Sequence, residues 1–236
     1  MTFVLGIVAA SFSIIHLLEY LSYYARVAGH LAGKPVTGYA IQNATNTITR
    51  FFYLVLMPLL GFLVDHGLET VHYIALSLIA LAGAAGASLL VYLLRFPCIE
   101  LLYRFVAGRG KRDQARRRVQ ALRATLRAGE LGPVPGRIAP LSCIVFTCYA
   151  LGVLVAYLFA LVFHDYRTTI SQLSGVVNGW ATVLLTFVLE PRIARIVDHH
   201  AGSDVYAAVQ SLLHGRLVAV GLVAPVIFFA VGYWLV

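Results

Sequence analysis

Gln42-Asn43-Ala44-Thr45-Asn46-Thr47-Ile48-Thr49-Arg50 stands in the middle of Val36–Val64, a stretch otherwise apolar enough to cross a bilayer. A guanidinium near the bilayer centre costs about 2.5–3.5 kcal/mol on insertion scales, so it is expected to face a protein interior or a water-filled cavity. Set on a helix at 100° per residue, Gln42, Asn43, Thr45, Asn46, Thr47, Thr49 and Arg50 fall on one broad arc. Ile41, Ala44, Ile48, Phe51 and Phe52 lie opposite. One side of this helix is therefore wet, and the other meets lipid or packed helices. Two readings of Arg50 stay open at this point: a cation that meets a ligand, or half of a buried ion pair that locks two helices together.

Composition agrees with a membrane setting. The chain is 60% hydrophobic and 12% charged, with a mean hydropathy of +0.84, which excludes an ordinary soluble domain. Spans of about 20 residues are expected at Phe3–Ala25, Val36–Val64, His72–Arg95, Leu141–His164, Thr168–Val197 and Leu212–Val236. Without alternating strand patterns a barrel is excluded, and an all-α polytopic protein of six transmembrane helices remains. The first span lacks a basic leading region and carries His16 and Glu19, so it reads as a retained helix and not as a cleaved signal.

Eleven of the 18 Lys and Arg residues lie between Arg95 and Arg137. The positive-inside rule makes that segment cytoplasmic and, by alternation, leaves both termini outside. Arg26 and Lys34, and Arg192, Arg195 and Arg216, then fall in inner connections; Asp65, Glu69, Asp165 and Arg167 fall outside. Within the basic segment, Val119, Leu122 and Leu126 recur at helical spacing opposite Arg116, Arg117, Arg123 and Arg127. That pattern predicts a basic amphipathic helix lying on anionic inner-leaflet lipid, not a nucleic-acid site. Gly132-Pro133-Val134-Pro135-Gly136 reads as a stiff connector.

Val55-Leu56-Met57-Pro58 with Val64-Asp65-His66 is echoed at constant offset by Val188-Leu189-Glu190-Pro191 with Val197-Asp198-His199. The chain accordingly divides into a three-helix half at 1–95, the cytoplasmic segment at 96–140 and a second half at 141–236. The odd number of spans per half makes a 3+3 inverted repeat, the plan of many transporters. Ser171, Gly175, Asn178, Thr182 and Thr186 give the counterpart helix a narrow face of small polar residues. On the first span His16, Glu19, Tyr23 and Arg26 share a face, and Glu19 is the expected partner of Arg50. No metal site is expected, because Asp198-His199-His200 has no second ligand set at metal spacing. Nucleophile elbow, P-loop and dinucleotide fingerprints are absent.

Ile14-Ile15-His16-Leu17-Leu18-Glu19, Tyr24-Ala25-Arg26-Val27-Ala28-Gly29, Asn43, Thr49-Arg50, Pro58, Gly61 and Leu63-Val64-Asp65 form a recognisable series. So do Tyr166-Arg167, Leu173-Ser174-Gly175, Asn178-Gly179, Ala181-Thr182, Leu184-Leu185-Thr186 and Pro191. Together they resemble the Amj-type lipid II flippases, the alternate to MurJ in bacterial cell-wall synthesis. The central segment carries none of these motifs, and Phe51-Phe52-Tyr53 stands where the family pattern continues polar.

The resemblance implies a multi-pass protein of the bacterial cytoplasmic membrane. It would move undecaprenyl-diphosphate-linked peptidoglycan precursor, lipid II, between leaflets without a cofactor. The residues agree with that chemistry. Arg26, Lys34 and Arg50 form a series of cations suited to a diphosphate, and Asn43, Asn46, Ser174 and Asn178 suit sugar hydroxyls. His16, Glu19, Tyr23, Tyr53, Pro58 and Pro191 are expected as structural or gating partners. Tyr53, Leu54, Leu56 and Met57 form an apolar plug, so the cavity is expected to open toward the cytoplasm and to alternate by rocking of the halves. Transport of another anionic lipid, a membrane-embedded enzyme and an assembly subunit are the alternatives, and a homodimer is a candidate assembly.

Overall fold

The computed structural model of the protein describes residues 1–108, 110–129 and 136–235, and among them every regular element is helical. The proline-rich connector, Gly136 apart, lies outside the described residues. Six helical stretches are long and apolar enough to cross a membrane. The first three are α1 (Thr2–Leu31), α2 (Pro35–Asp65) and α3 (Thr70–Leu93). The fourth is α6 (Ile138–Val162). The fifth joins α7 (Arg167–Leu184) to α8 (Glu190–His199), and the sixth joins α9 (Gly202–Val218) to α10 (Ala224–Leu235). The sixth begins at Gly202, not at the expected Leu212. Arg216, counted above among the charges of the inner connection, lies fourteen residues inside this helix.

Between the third and fourth spans lie α4 (Arg95–Ala107) and α5 (Arg112–Arg127). α4 packs on α1 and buries Ile99, Leu102, Tyr103 and Val106, and Ala115, Val119 and Leu122 of α5 are buried where α5 meets α4 and α9. The apolar stripe of α5 thus meets protein, whereas its sequence pattern suggested a bed of lipid. The pattern locates the stripe and not the surface that covers it. Arg112, Arg116, Arg117, Arg118, Arg123 and Arg127 remain exposed on the other face. The end of the bundle carrying α4 and α5 is termed the basic end below.

Glycines permit the close approach at two of the helix crossings, backbone to backbone at Gly29 and backbone to side chain at Gly152. A Cβ on Gly29 would lie 2.7 Å from Gly38 Cα, and one on Gly152 would lie 2.6 Å from Asn178 Oδ1. Small residues of this kind let membrane helices approach where larger side chains would hold them apart. Two core clusters result, one near the basic end around Tyr20, Tyr24 and Ile193, the other near the opposite end around Phe12, Leu60 and Tyr73.

Both composite spans widen into a π turn just before a proline: Leu185–Leu189 precedes Pro191, and Ala219–Val223 precedes Pro225. Proline lacks the N–H that would serve the carbonyl four residues back, and its ring crowds that carbonyl, so local widening relieves the clash. Pro58, expected with Pro191 as a structural or gating residue, sits within an α2 that runs unbroken from Pro35 to Asp65.

Candidate functional site

The polar arc of α2, Thr45 apart, lines a cavity. α2 packs on α1 and α7 packs on α6, while α2 and α7 share no extensive packing among the described residues. The space between them measures about 620 Å³ and is walled on the α2 side by Gln42, Asn43, Asn46, Thr47, Thr49, Arg50 and Tyr53. Asn178, Thr182, Leu185, Thr186 and Glu190 form the opposing wall, with Glu19, Tyr23, Phe146, Tyr149 and Arg216 behind. The lipid-side residues of α2, Ile48, Phe51 and Leu54, turn outward and are exposed. The cavity ends at Tyr53, beyond which Leu56, Leu60 and Leu63 are fully buried. There Tyr157 also donates to the Met57 carbonyl at 3.2 Å.

Charges in and beside the cavity are mostly paired. Arg216, with 1% of its side chain exposed, donates through Nη2 to Glu19 Oε2 at 2.5 Å and lies 3.1 Å from His16 Nδ1. Its guanidinium is 4.4 Å from the Phe146 ring centre. Glu19 was expected to meet Arg50, and its carboxylate is instead committed to α9. Arg26 is paired as well: Nη2 bonds Glu190, Nε bonds Gln42, and the guanidinium lies over Tyr39. Among the described residues Arg50 makes neither an ion pair nor a hydrogen bond. It is exposed to the cavity.

The remaining expected site residues divide. Asn43 and Asn46 line the cavity, and Asn46 Oδ1 accepts from Ser22 Oγ at 3.0 Å. Asn178 also lines it, with Oδ1 buried against Gly152 and lacking a partner. Ser174 is buried away from it, bonded to the Ser171 carbonyl at 2.8 Å. Lys34 stands outside at the basic end, with Nζ 3.5 Å from the Val106 carbonyl. Tyr23 packs edge-on to Phe146 and reaches the cavity, while Pro191 sits one residue beyond Glu190 in a second pocket. Sequence reasoning did not single out Gln42's role, Tyr149 or Arg216 for this site. For Arg216 a signal existed, since both Glu19 and His16 needed a partner from another helix.

That second pocket, about 330 Å³, opens at the basic end and is lined by Arg26, Pro35, Tyr39, Glu190, Pro191 and Asp198 among others. Tyr39 and Glu190 border both spaces, so the Arg26–Glu190 pair stands between the pocket and the polar cavity.

A family model described as Amj, alternate to MurJ, matches residues 97–236. The chain belongs to the Amj family. The match takes in α4 and α5, the segment without recognised motifs, as well as the whole second half. The lipid II flippase Amj of Bacillus subtilis (strain 168) is 23% identical over 209 residues, covering 78% of this chain and 76% of its own length. No solved structure matches the chain.

Proposed function

We propose that this chain is a lipid II flippase of the bacterial cytoplasmic membrane, a transporter and not an enzyme, in which the cavity between α2 and α7 receives the headgroup. The observation that carries the reading is Arg50. Pairing Arg216 with Glu19 and Arg26 with Glu190 leaves its charge uncompensated, among the described residues, inside a membrane-spanning helix. Keeping such a charge is costly unless a ligand uses it. A diphosphate fits: it is anionic, and a guanidinium binds it through two parallel hydrogen bonds. Asn43, Asn46, Thr47, Thr182 and Thr186 supply neutral polar groups for sugar and peptide. The polyprenyl tail need not enter, because the gap between α2 and α7 lets it stay in lipid.

The name of the Bacillus subtilis relative supports the same substrate. The basic end is assigned to the cytoplasm on the strength of its arginines, and alternating access between the halves carries the headgroup across. Expression of this chain in cells depleted of their other lipid II flippases tests the function. Growth and outer-leaflet lipid II should be restored by the wild type and not by Arg50→Met. Failure of the wild type to restore either, with another anionic lipid moved instead, would replace lipid II as the substrate.

A further inference from the structure

Asp65, at the end of α2, pairs with Arg167, at the start of α7, at 3.3 Å. The separation that relates Pro58 to Pro191 also relates Asp65 to Asp198 and Lys34 to Arg167. The same offset carries α2, Pro35–Asp65, onto 168–198, within one residue at each end of the α7–α8 span. The image of the Asp65–Arg167 pair under this relation is therefore Asp198 with Lys34, of the same signs. That image is not formed. Lys34 and Asp198 are both exposed and make no ion pair among the described residues, and the pocket between Pro35 and Asp198 separates the start of α2 from the end of α8.

One end of the α2–α7/α8 gap is thus latched by a cation and a carboxylate, and the other holds the equivalent pair apart. In a molecule built of inverted repeats, exchanging the conformations of the two halves converts one access state into the other. We propose that Lys34 and Asp198 form the gate of the basic end: when the pocket closes they pair, and Asp65–Arg167 parts. The inference rests on the transport reading above and names what controls access to its cavity. The two latches suit the task because exposed ion pairs contribute little and break readily. Neither state is locked, so a bound headgroup can shift the balance by its differential affinity.

The test measures distances first. With Cys98, Cys143 and Cys148 replaced by Ala, spin labels at Thr37→Cys and Ala201→Cys report the basic end. Labels at His66→Cys and Thr168→Cys report the opposite end; all four positions are exposed. In protein reconstituted into lipid vesicles, Asp65→Asn should shorten the basic-end distance and lengthen the other, and adding Asp198→Asn should abolish both shifts. Unchanged distances in Asp65→Asn, or shifts that persist with Asp198→Asn, overturn the gate. Flipping gives an independent readout: Lys34→Asp should lose activity, and Lys34→Asp with Asp198→Lys should regain it. An active Lys34→Asp single variant also overturns the gate. Distance shifts as expected in a protein that moves no lipid II would leave the gate standing and reject the substrate reading instead.

Discussion

Glu19 on α1 holds Arg216 on α9 at 2.5 Å, and by doing so leaves Arg50 on α2 without a counter-ion among the described residues. The two arginines border one cavity and differ in what their removal exposes. Losing one member of a buried pair strands the other charge, whereas losing an unpaired cation strands nothing.

Arg50→Met should therefore leave thermal stability in detergent near the wild type while abolishing transport. Arg216→Met should destabilise the protein by about 3 kcal/mol, the lower end of the range for a broken buried pair, because Glu19 retains some solvent contact. Arg216→Met with Glu19→Leu should recover most of that loss. A melting temperature for Arg50→Met as low as that for Arg216→Met would mean that Arg50 is structural.

The Arg26–Glu190 pair divides the basic-end pocket from the cavity, so loosening it should admit reagents. A single cysteine at Asn46 should react faster with a membrane-impermeant thiol reagent in Glu190→Gln than in an otherwise wild-type background. Arg26 stays bonded to Gln42, which keeps the helix crossing at Gly29 and Gly38 in register. Equal reaction rates in the two backgrounds would show that the pair does not restrict entry.

How much of this was legible in the chain depends on which physical signal carried it. The bilayer imposes a length and a polarity on each span, so the helices and the wet arc around Arg50 follow from hydropathy and the helical period alone. Ion-pair partners follow from neither. Glu19 required a cation, and Arg50 and Arg216 both qualified; choosing between them requires knowing that α1 crosses α9 at that depth. Arg216 was also disguised, because it lies near the start of its expected span, where a basic residue reads as part of the positive inner connection. The arginine face of α5 was visible as a pattern, while the protein surface beneath its apolar stripe was not. The π turns had a partial signal in Pro191 and Pro225, although Pro58 shows that a proline alone does not dictate one.

The orientation has its own test. A single cysteine in place of Arg112, which is exposed on α5, should be protected from a membrane-impermeant reagent in intact cells. One in place of Glu69, in the exposed turn between α2 and α3, should be labelled. The reverse pattern would invert the molecule and with it the direction in which the cavity is closed at Tyr53.

The π turn before Pro191 has a functional consequence that a substitution can isolate. A π turn inserts about one extra residue, so residues beyond it are rotated by roughly 100° relative to a regular α-helix. Glu190 follows that turn directly, and its approach to Arg26 depends on the rotation. Pro191→Ala returns an N–H to the Phe187 carbonyl and removes the ring that crowds it. The helix should then regularise across Leu185–Leu189, swinging Glu190 away from Arg26 and turning Thr186 out of the cavity wall. Thermal stability should hold or rise through the recovered hydrogen bond, which contributes about 1 kcal/mol, offset in part by the loosened ion pair. Transport should fall all the same, and the cysteine at Asn46 should become more reactive, as in Glu190→Gln. Full transport in Pro191→Ala together with unchanged Asn46 reactivity would show that the π turn only relieves the proline and positions nothing.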